Sequence, residues 1–110
     1  MKVGVVGSRS KTVQNLENYL PKGISEIVSG GAKGIDLCAK QYAIKNNIKL
    51  VEFLPNYARY GRGAPIKRNN QIVDYCDVII AFWDGVSKGT KYTIDFAKSK
   101  NKKVVVIFLE

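Results

Sequence analysis

Continuous apolar runs alternate along the chain with stretches in which apolar residues recur every three or four positions. Val3 to Val6, Val78 to Phe82 and Val104 to Leu109 are unbroken and rich in β-branched residues. That is the pattern of strands covered on both faces. Glu26 to Ser29 and Lys49 to Leu54 predict two weaker strands. Between them, Ile35, Cys38, Ala39, Tyr42 and Ala43 fall at i, i+3, i+4, i+7 and i+8, which places them on one face of a helix. Shorter helical patterns run over Val13 to Leu20, Ile66 to Cys76 and Thr90 to Lys100.

Five strands alternating with four helices predict an α/β, Rossmann-like, three-layer α/β/α domain around a parallel sheet with right-handed crossovers. At 110 residues the chain is expected to be one such domain, spanning 1–110. Sheets of this kind bind ligands beyond the carboxyl ends of their strands, where strand order reverses. The loops that follow the strands are therefore the places to look for chemistry.

Three of those loops carry glycine and polar residues in quantity. Gly7-Ser8-Arg9 follows the first strand, and Ser29-Gly30-Gly31-Ala32-Lys33-Gly34-Ile35-Asp36 follows the second. Trp83-Asp84-Gly85-Val86-Ser87-Lys88-Gly89-Thr90 follows the fourth. Glycine lets a ligand approach the main chain, and the first amides of each following helix sit at the positive end of its dipole. Phosphate or carboxylate suits such a place. None of the loops matches the dinucleotide fingerprint or the Walker A pattern. If the three meet at one site, strands one, two and four are neighbours, which favours the order 3-2-1-4-5 over the flavodoxin order 2-1-3-4-5.

A fourth segment, residues 59–70, leads from a long loop into the third helix. Asn69 shares a helix face with Ile72, Val73 and Cys76, so an amide heads a face expected to rest on the sheet and needs partners there. Arg68 projects about 100° further round the helix.

Charge changes the picture in the same direction. The net charge is +9, and on the predicted fold the rim at the strand tips holds Arg9, Lys11, Lys33, Arg59, Arg62, Lys67, Arg68, Lys88 and Lys91 against Asp36 and Asp84. An excess of +7 on that rim concentrates anions. Tyr57, Tyr60, Trp83 and Tyr92 are placed to stack on a base, with core packing the alternative for Trp83. There is no histidine, which argues against metal binding and against His-dependent triads, and no cofactor is expected. Cys38 and Cys76 both fall on apolar helix faces and read as buried free thiols in a reducing compartment. The apolar part of MKVGVVGSRS is too short for a signal-peptide core or a membrane span, so a cytoplasmic protein without membrane contact is expected. The apolar run VVVIFL, at a sheet edge in this order, invites cover by a second copy, with helices on both faces as the alternative.

SGGAKGID resembles the S-G-x-A-x-G-I-D loop of DprA, and Arg68-Asn69 resembles its R-N-R motif. With GSR, Pro55, Tyr60 and Gly61 of a P-x-x-x-x-Y-G loop, and AFWDGVSKGTKYTID, nearly the whole chain is similar to small stand-alone YspA-like, YpsA-related proteins of the SMF/DprA–LOG (SLOG) superfamily. The resemblance implies a Rossmann-like domain binding nucleotides or nucleotide-derived ligands. It assigns the pocket to Gly7, Ser8, Arg9, Gly30, Gly31, Gly34, Asp36, Arg68, Asn69, Asp84, Gly85, Ser87, Gly89 and Thr90. In chemical terms, amides of Gly31 to Gly34 and of Lys88 to Thr90 would cradle phosphate, Arg9 and Arg68 would clamp it, and Asp36 or Asp84 would hold ribose hydroxyls.

One departure matters. The phosphoribohydrolases of the LOG branch carry P-G-G-x-G-T-x-x-E in the fourth loop, and Thr93 stands here at the catalytic glutamate's place. Threonine supplies neither negative charge nor a proton for an oxocarbenium-like cleavage. Binding without turnover is the first expectation. An N-glycoside hydrolase of nucleoside monophosphates using Asp36 or Asp84 is the second, and a DprA-like binder of single-stranded nucleic acid the third.

Overall fold

Two of the three β-branched runs, Val3 to Val6 and Val78 to Phe82, become the middle of a sheet because they have apolar partners on both faces, while the third forms an edge. The computed structural model describes residues 1–109, and in it β1 (Lys2–Gly7), β2 (Glu26–Ser29), β3 (Lys49–Glu52), β4 (Val78–Trp83) and β5 (Lys103–Phe108) form one sheet. Every pairing is parallel, in the order β3-β2-β1-β4-β5. β1 lies between β2 and β4, with Val3 opposite both Ile27 and Val78.

Alternate residues of these strands feed two cores. Val3, Val5, Ile27, Ile80 and Phe82 pack under α1 (Ile35–Lys45), through Ile35, Ala39 and Ala43. Val6, Val28, Ile79 and Ala81 pack on the other face under α3 (Ala64–Tyr75) and α4 (Lys88–Ser99), through Ile72, Val73, Ile94 and Ala97. The chain is a Rossmann-like three-layer α/β/α structure with the strand order expected.

Three of the helices begin at a start signal that the sequence offers. Pro65 sits in the first turn of α3, where its missing N–H costs nothing. Ser87 caps α4, its side chain accepting from the Thr90 amide. α2 (Tyr57–Tyr60) is a single turn capped by Asn56, whose Oδ1 accepts from the Arg59 amide at 3.1 Å, and a 3-10 turn over Gly61–Gly63 joins it to α3.

The predicted helix over Val13 to Leu20 is absent. Only a 3-10 turn at Leu16–Asn18 forms, because Asn15 adopts a left-handed conformation (φ 58°) just before it. Leu16 is nevertheless buried, with Val13 and Leu20 against the same core. The periodicity there reports burial, and a turn satisfies it as well as a helix does. The expected long loop before α3 is likewise partly helical, and α3 and α4 both start two residues earlier than their apolar patterns. β3 ends at Glu52, two residues short of Leu54: the Phe53 amide still bonds the Ser29 carbonyl, at 2.9 Å, before the chain turns away at Pro55.

Both cysteines are free, but only Cys76 is fully buried, and burial pushes its thiol up to about 12. Cys38 is half-buried, contrary to expectation, with its sulfur 3.5 Å from the Val13 amide. β5 is an edge strand exposing Val106 and Phe108. No helix among the described residues is long and apolar enough to cross a membrane.

α1 enters against β1 through one residue that only glycine can supply. Gly34 has φ +68°, and a Cβ there would lie 2.5 Å from the Ser8 carbonyl oxygen and 2.6 Å from that of Arg9. Both obstacles are backbone. Gly34→Ala is expected to lower the unfolding free energy by roughly 3 kcal/mol, measured by urea titration.

Candidate functional site

A cavity of about 390 Å³ opens beyond the carboxyl ends of β1, β2 and β4. It lies where the reversal in strand order sends the chain to opposite faces of the sheet. Gly7 and Arg9 enter from the loop after β1, Gly30, Gly31, Ala32 and Asp36 from the loop after β2 and the start of α1, and Arg68 and Asn69 from α3. Ser87, Gly89 and Thr90 enter from the cap and first turn of α4. Four separate stretches of chain thus meet in one concavity, as the sequence reading required.

Arg68 organises it. Its Nη1 donates to the Gly30 carbonyl at 2.6 Å, and its Nε donates to Asn69 Oδ1 at 2.9 Å. The side chain therefore folds back toward Asn69 across the separation set by their helical positions. Gly30 makes this approach possible: a Cβ there would stand 2.3 Å from Nη1. Asn69, the amide that needed partners, finds one in the neighbouring guanidinium.

Asp36 is 8% exposed and is the only carboxylate lining the cavity among the described residues. Its Oδ2 accepts from the Ala32 amide at 3.1 Å. Burial holds its pKa above the ordinary 3.8, against the opposing pull of the Ala32 amide and the Arg68 charge.

The loop after β2 is more self-satisfied than a free phosphate cradle would be. The Gly31 amide points to Ser29 Oγ at 3.4 Å and the Ile35 amide donates to the Ser8 carbonyl at 3.3 Å, while Ala32 serves Asp36. These amides hold the loop's own shape. The Thr90 amide is likewise taken by Ser87, whose hydroxyl also lies 3.2 Å from that of Thr90.

Several expected residues stand outside the lining. Ser8 is buried and bonds Ser10, Ser29 and Gly34 shape the loop from behind, and Lys33, Gly85 and Lys88 do not line the cavity. Asp84 is spent on its own turn, its Oδ1 accepting from the Val86 and Ser87 amides at 2.9 and 2.8 Å. Those two bonds hold its pKa below the ordinary carboxylate value. Trp83 packs against the core under α3 and α4 and donates its indole N–H to the Ser87 carbonyl, so it positions the loop and offers no stacking face here. Tyr92 is also occupied, bonding Asn70 and stacking on Phe96.

Of the aromatics expected at this rim only Tyr57 lines the cavity, and the geometry adds Val6, Pro55, Pro65, Ile72 and Thr93. Ile72 and Val6 read as core in the sequence, and their dual role depends on where the core stops. Thr93 is fully buried, with its hydroxyl donating to the Gly89 carbonyl at 3.0 Å. The position at which LOG enzymes carry glutamate is thus on the cavity wall but bears a short side chain turned back onto its own helix.

Residues 11–60 match the model of the YAcAr family, described as YspA, cpYpsA-related SLOG. Among solved structures the fold is similar to DNA processing protein A (DprA) from Streptococcus pneumoniae, with a TM-score of 0.75 and 26% identity over 99% of this chain and 50% of that one. Family match and fold point the same way. The segment 11–60 is thus similar to the YspA-like SLOG group, and the chain as a whole shares the fold of DprA. A curated relative, translation initiation factor IF-2 of Campylobacter lari, is 27% identical over 104 residues, 94% of this chain and 12% of the factor. The chain thus spans half or less of the proteins it resembles. The SLOG match covers the loop that holds Asp36 and the segment through Tyr60, while Arg68 and the α4 loop are joined to them by the fold.

Asp36 also predicts a pH dependence. Because its folded pKa is raised, the native state binds the proton more tightly than the unfolded chain, and stability falls as pH rises through the interval above 3.8. Asp36→Asn keeps an acceptor for the Ala32 amide and removes the buried charge. Its urea midpoint relative to the parent protein is expected to rise from about pH 4 toward neutrality, and a pH-independent difference would count against this account.

Proposed function

We propose that the chain binds a nucleotide or nucleotide-derived anionic ligand at the carboxyl tips of the sheet, as a sensor or carrier that does not turn it over. The observation that carries this reading is the convergence of Arg9, Arg68 and the first turn of α4 on a cavity with a single carboxylate among the described residues. A volume of about 390 Å³ falls within the usual range for small-molecule sites. Arg9 and Arg68 supply charge-assisted donors, and the Gly89 amide and Thr90 hydroxyl lie at the positive end of the α4 dipole. Asp36 is the group suited to a sugar hydroxyl. Tyr57, 60% exposed on the lining, is the aromatic surface on which a base would stack.

Catalysis has a narrower footing. Thr93 carries no charge and Asp84 is held in its turn, so cleavage of an N-glycosidic bond would rest on Asp36 alone. Incubation with a nucleoside monophosphate panel, followed by chromatography for free base, is expected to show none. Base release that Asp36→Asn abolishes would establish the hydrolase instead.

Binding is tested by titrating adenosine monophosphate into the protein and its Gly30→Ala variant. The added methyl displaces Arg68 from the Gly30 carbonyl, and affinity is expected to fall about tenfold, in line with losing a charge-assisted contact. A small ligand should show shallow salt dependence. A steep loss of oligonucleotide affinity with salt would favour a strand binder, as the likeness to a DNA processing protein invites.

The proposal includes a two-fold dimer that covers the apolar edge at Val106 and Phe108. Sedimentation is expected to give twice the 12.2 kDa chain mass, and Phe108→Lys to return the monomer.

A further inference from the structure

Beside the first cavity lies a second, of about 210 Å³, that no proposed role has yet used. The two share Arg68. The segment from Leu54 to Pro65 forms a wall common to both, with Pro55, Tyr57 and Pro65 on the first cavity and Asn56, Tyr60 and Ala64 on the second.

The chemistry of the second cavity is one-sided. Arg59, Lys67 and Arg68 line it, and no carboxylate does among the described residues. Ion pairs among the described residues occur only at Lys49–Glu26 and Lys91–Asp95, so none of these three cations has a carboxylate within 4.0 Å. Two of them gather on one ring: the Arg59 guanidinium carbon lies 5.3 Å and the Lys67 Nζ 5.7 Å from the centroid of Tyr60. The ring's negative face offsets part of their mutual repulsion and holds them together. Arg68 uses only two of its five N–H groups within the chain, on Gly30 and Asn69, which leaves donors for ligands. Like charges gathered around a concave surface without a counter-charge focus an anion there.

We propose that the second cavity holds a second anionic group of the ligand bound in the first, so that the ligand is a small molecule with two separated phosphate-type groups, of the dinucleotide class. This rests on the reading of the first cavity as an anion site. Arg68 is the shared element: held by Gly30 and Asn69, it stands between the two anions and neutralises both. Arg59 and Lys67 then serve the distal phosphate alone.

Adenosine monophosphate and the 5′-phosphorylated dinucleotide pApA are the probes, titrated by calorimetry into the protein and into the double variant Arg59→Ala/Lys67→Ala. Both substituted side chains are exposed, and thermal unfolding checks that the variant keeps the fold. The parent protein is expected to bind pApA about tenfold more tightly than the monophosphate, an advantage of the size a charge-assisted contact supplies. The double variant should lose that advantage and keep its monophosphate affinity. Equal affinity for the two probes in the parent protein, or equal losses for both in the variant, overturns the second subsite and leaves the first standing. If neither probe binds the parent protein, both readings fall. Affinity that keeps rising through the hexanucleotide, with steep salt dependence, replaces the small ligand by a single strand.

Discussion

The parallel pairing of β1 with both β2 and β4 is the constraint on which the molecule turns. Five register pairs on the β4 side and three on the β2 side place the ends of these strands together. The helix after β2 leaves over one face of the sheet and the helix after β4 over the other. A crevice must open between two chains that diverge from adjacent strands, and the loops spanning it carry the glycines, the arginines and the helix N-termini. Strand order, decided by burying Val3, Val5, Ile27 and Ile79 at 0% exposure, thereby decides where the cavity opens.

Within the crevice, one guanidinium ties separate segments of the wall together. Arg68 fastens α3 to the loop after β2 through Gly30, and Asn69 fixes its orientation. The hydrogen bonds of Arg68 go to neutral groups and no carboxylate lies within 4.0 Å, so its charge is offset only in part, by Asp36 further across the cavity. Asp36, buried nearby with a raised pKa, is the only carboxylate on the cavity wall among the described residues. The loops around it are largely closed by their own hydrogen bonds at Gly31, Ala32 and Thr90. Such bonds rigidify the site before any ligand arrives, which lowers the entropy cost of binding.

The likeness to DprA and the departure from LOG enzymes acquire physical content here. The fold and the S-G-G-A-K-G-I-D loop are shared architecture. Thr93 is different in kind: its hydroxyl bonds its own helix turn at Gly89, and among the described residues the wall of the cavity has no second carboxylate. Cleavage of a glycosidic bond ordinarily uses two acidic groups with distinct roles.

Hydrophobic period located the strands and three of the helices, since short β-branched apolar runs suit a covered parallel sheet and a three-to-four spacing presents one face of a helix. It did not show that the run of β5 would lie half-exposed at an edge. It failed at Val13 to Leu20, because burial of Leu16 needs the spacing but not the helix, and a left-handed Asn15 is invisible to periodicity. The loop residues were legible as chemistry: Arg9, Gly30, Asp36, Arg68, Asn69 and Thr90 do converge. Their allegiances were decided only by tertiary structure. Asp84 turned to its own backbone, Trp83 to the core and Arg68 to Gly30, because a side chain's partner is whatever group lies within about 3 Å in space, and sequence order does not specify that distance.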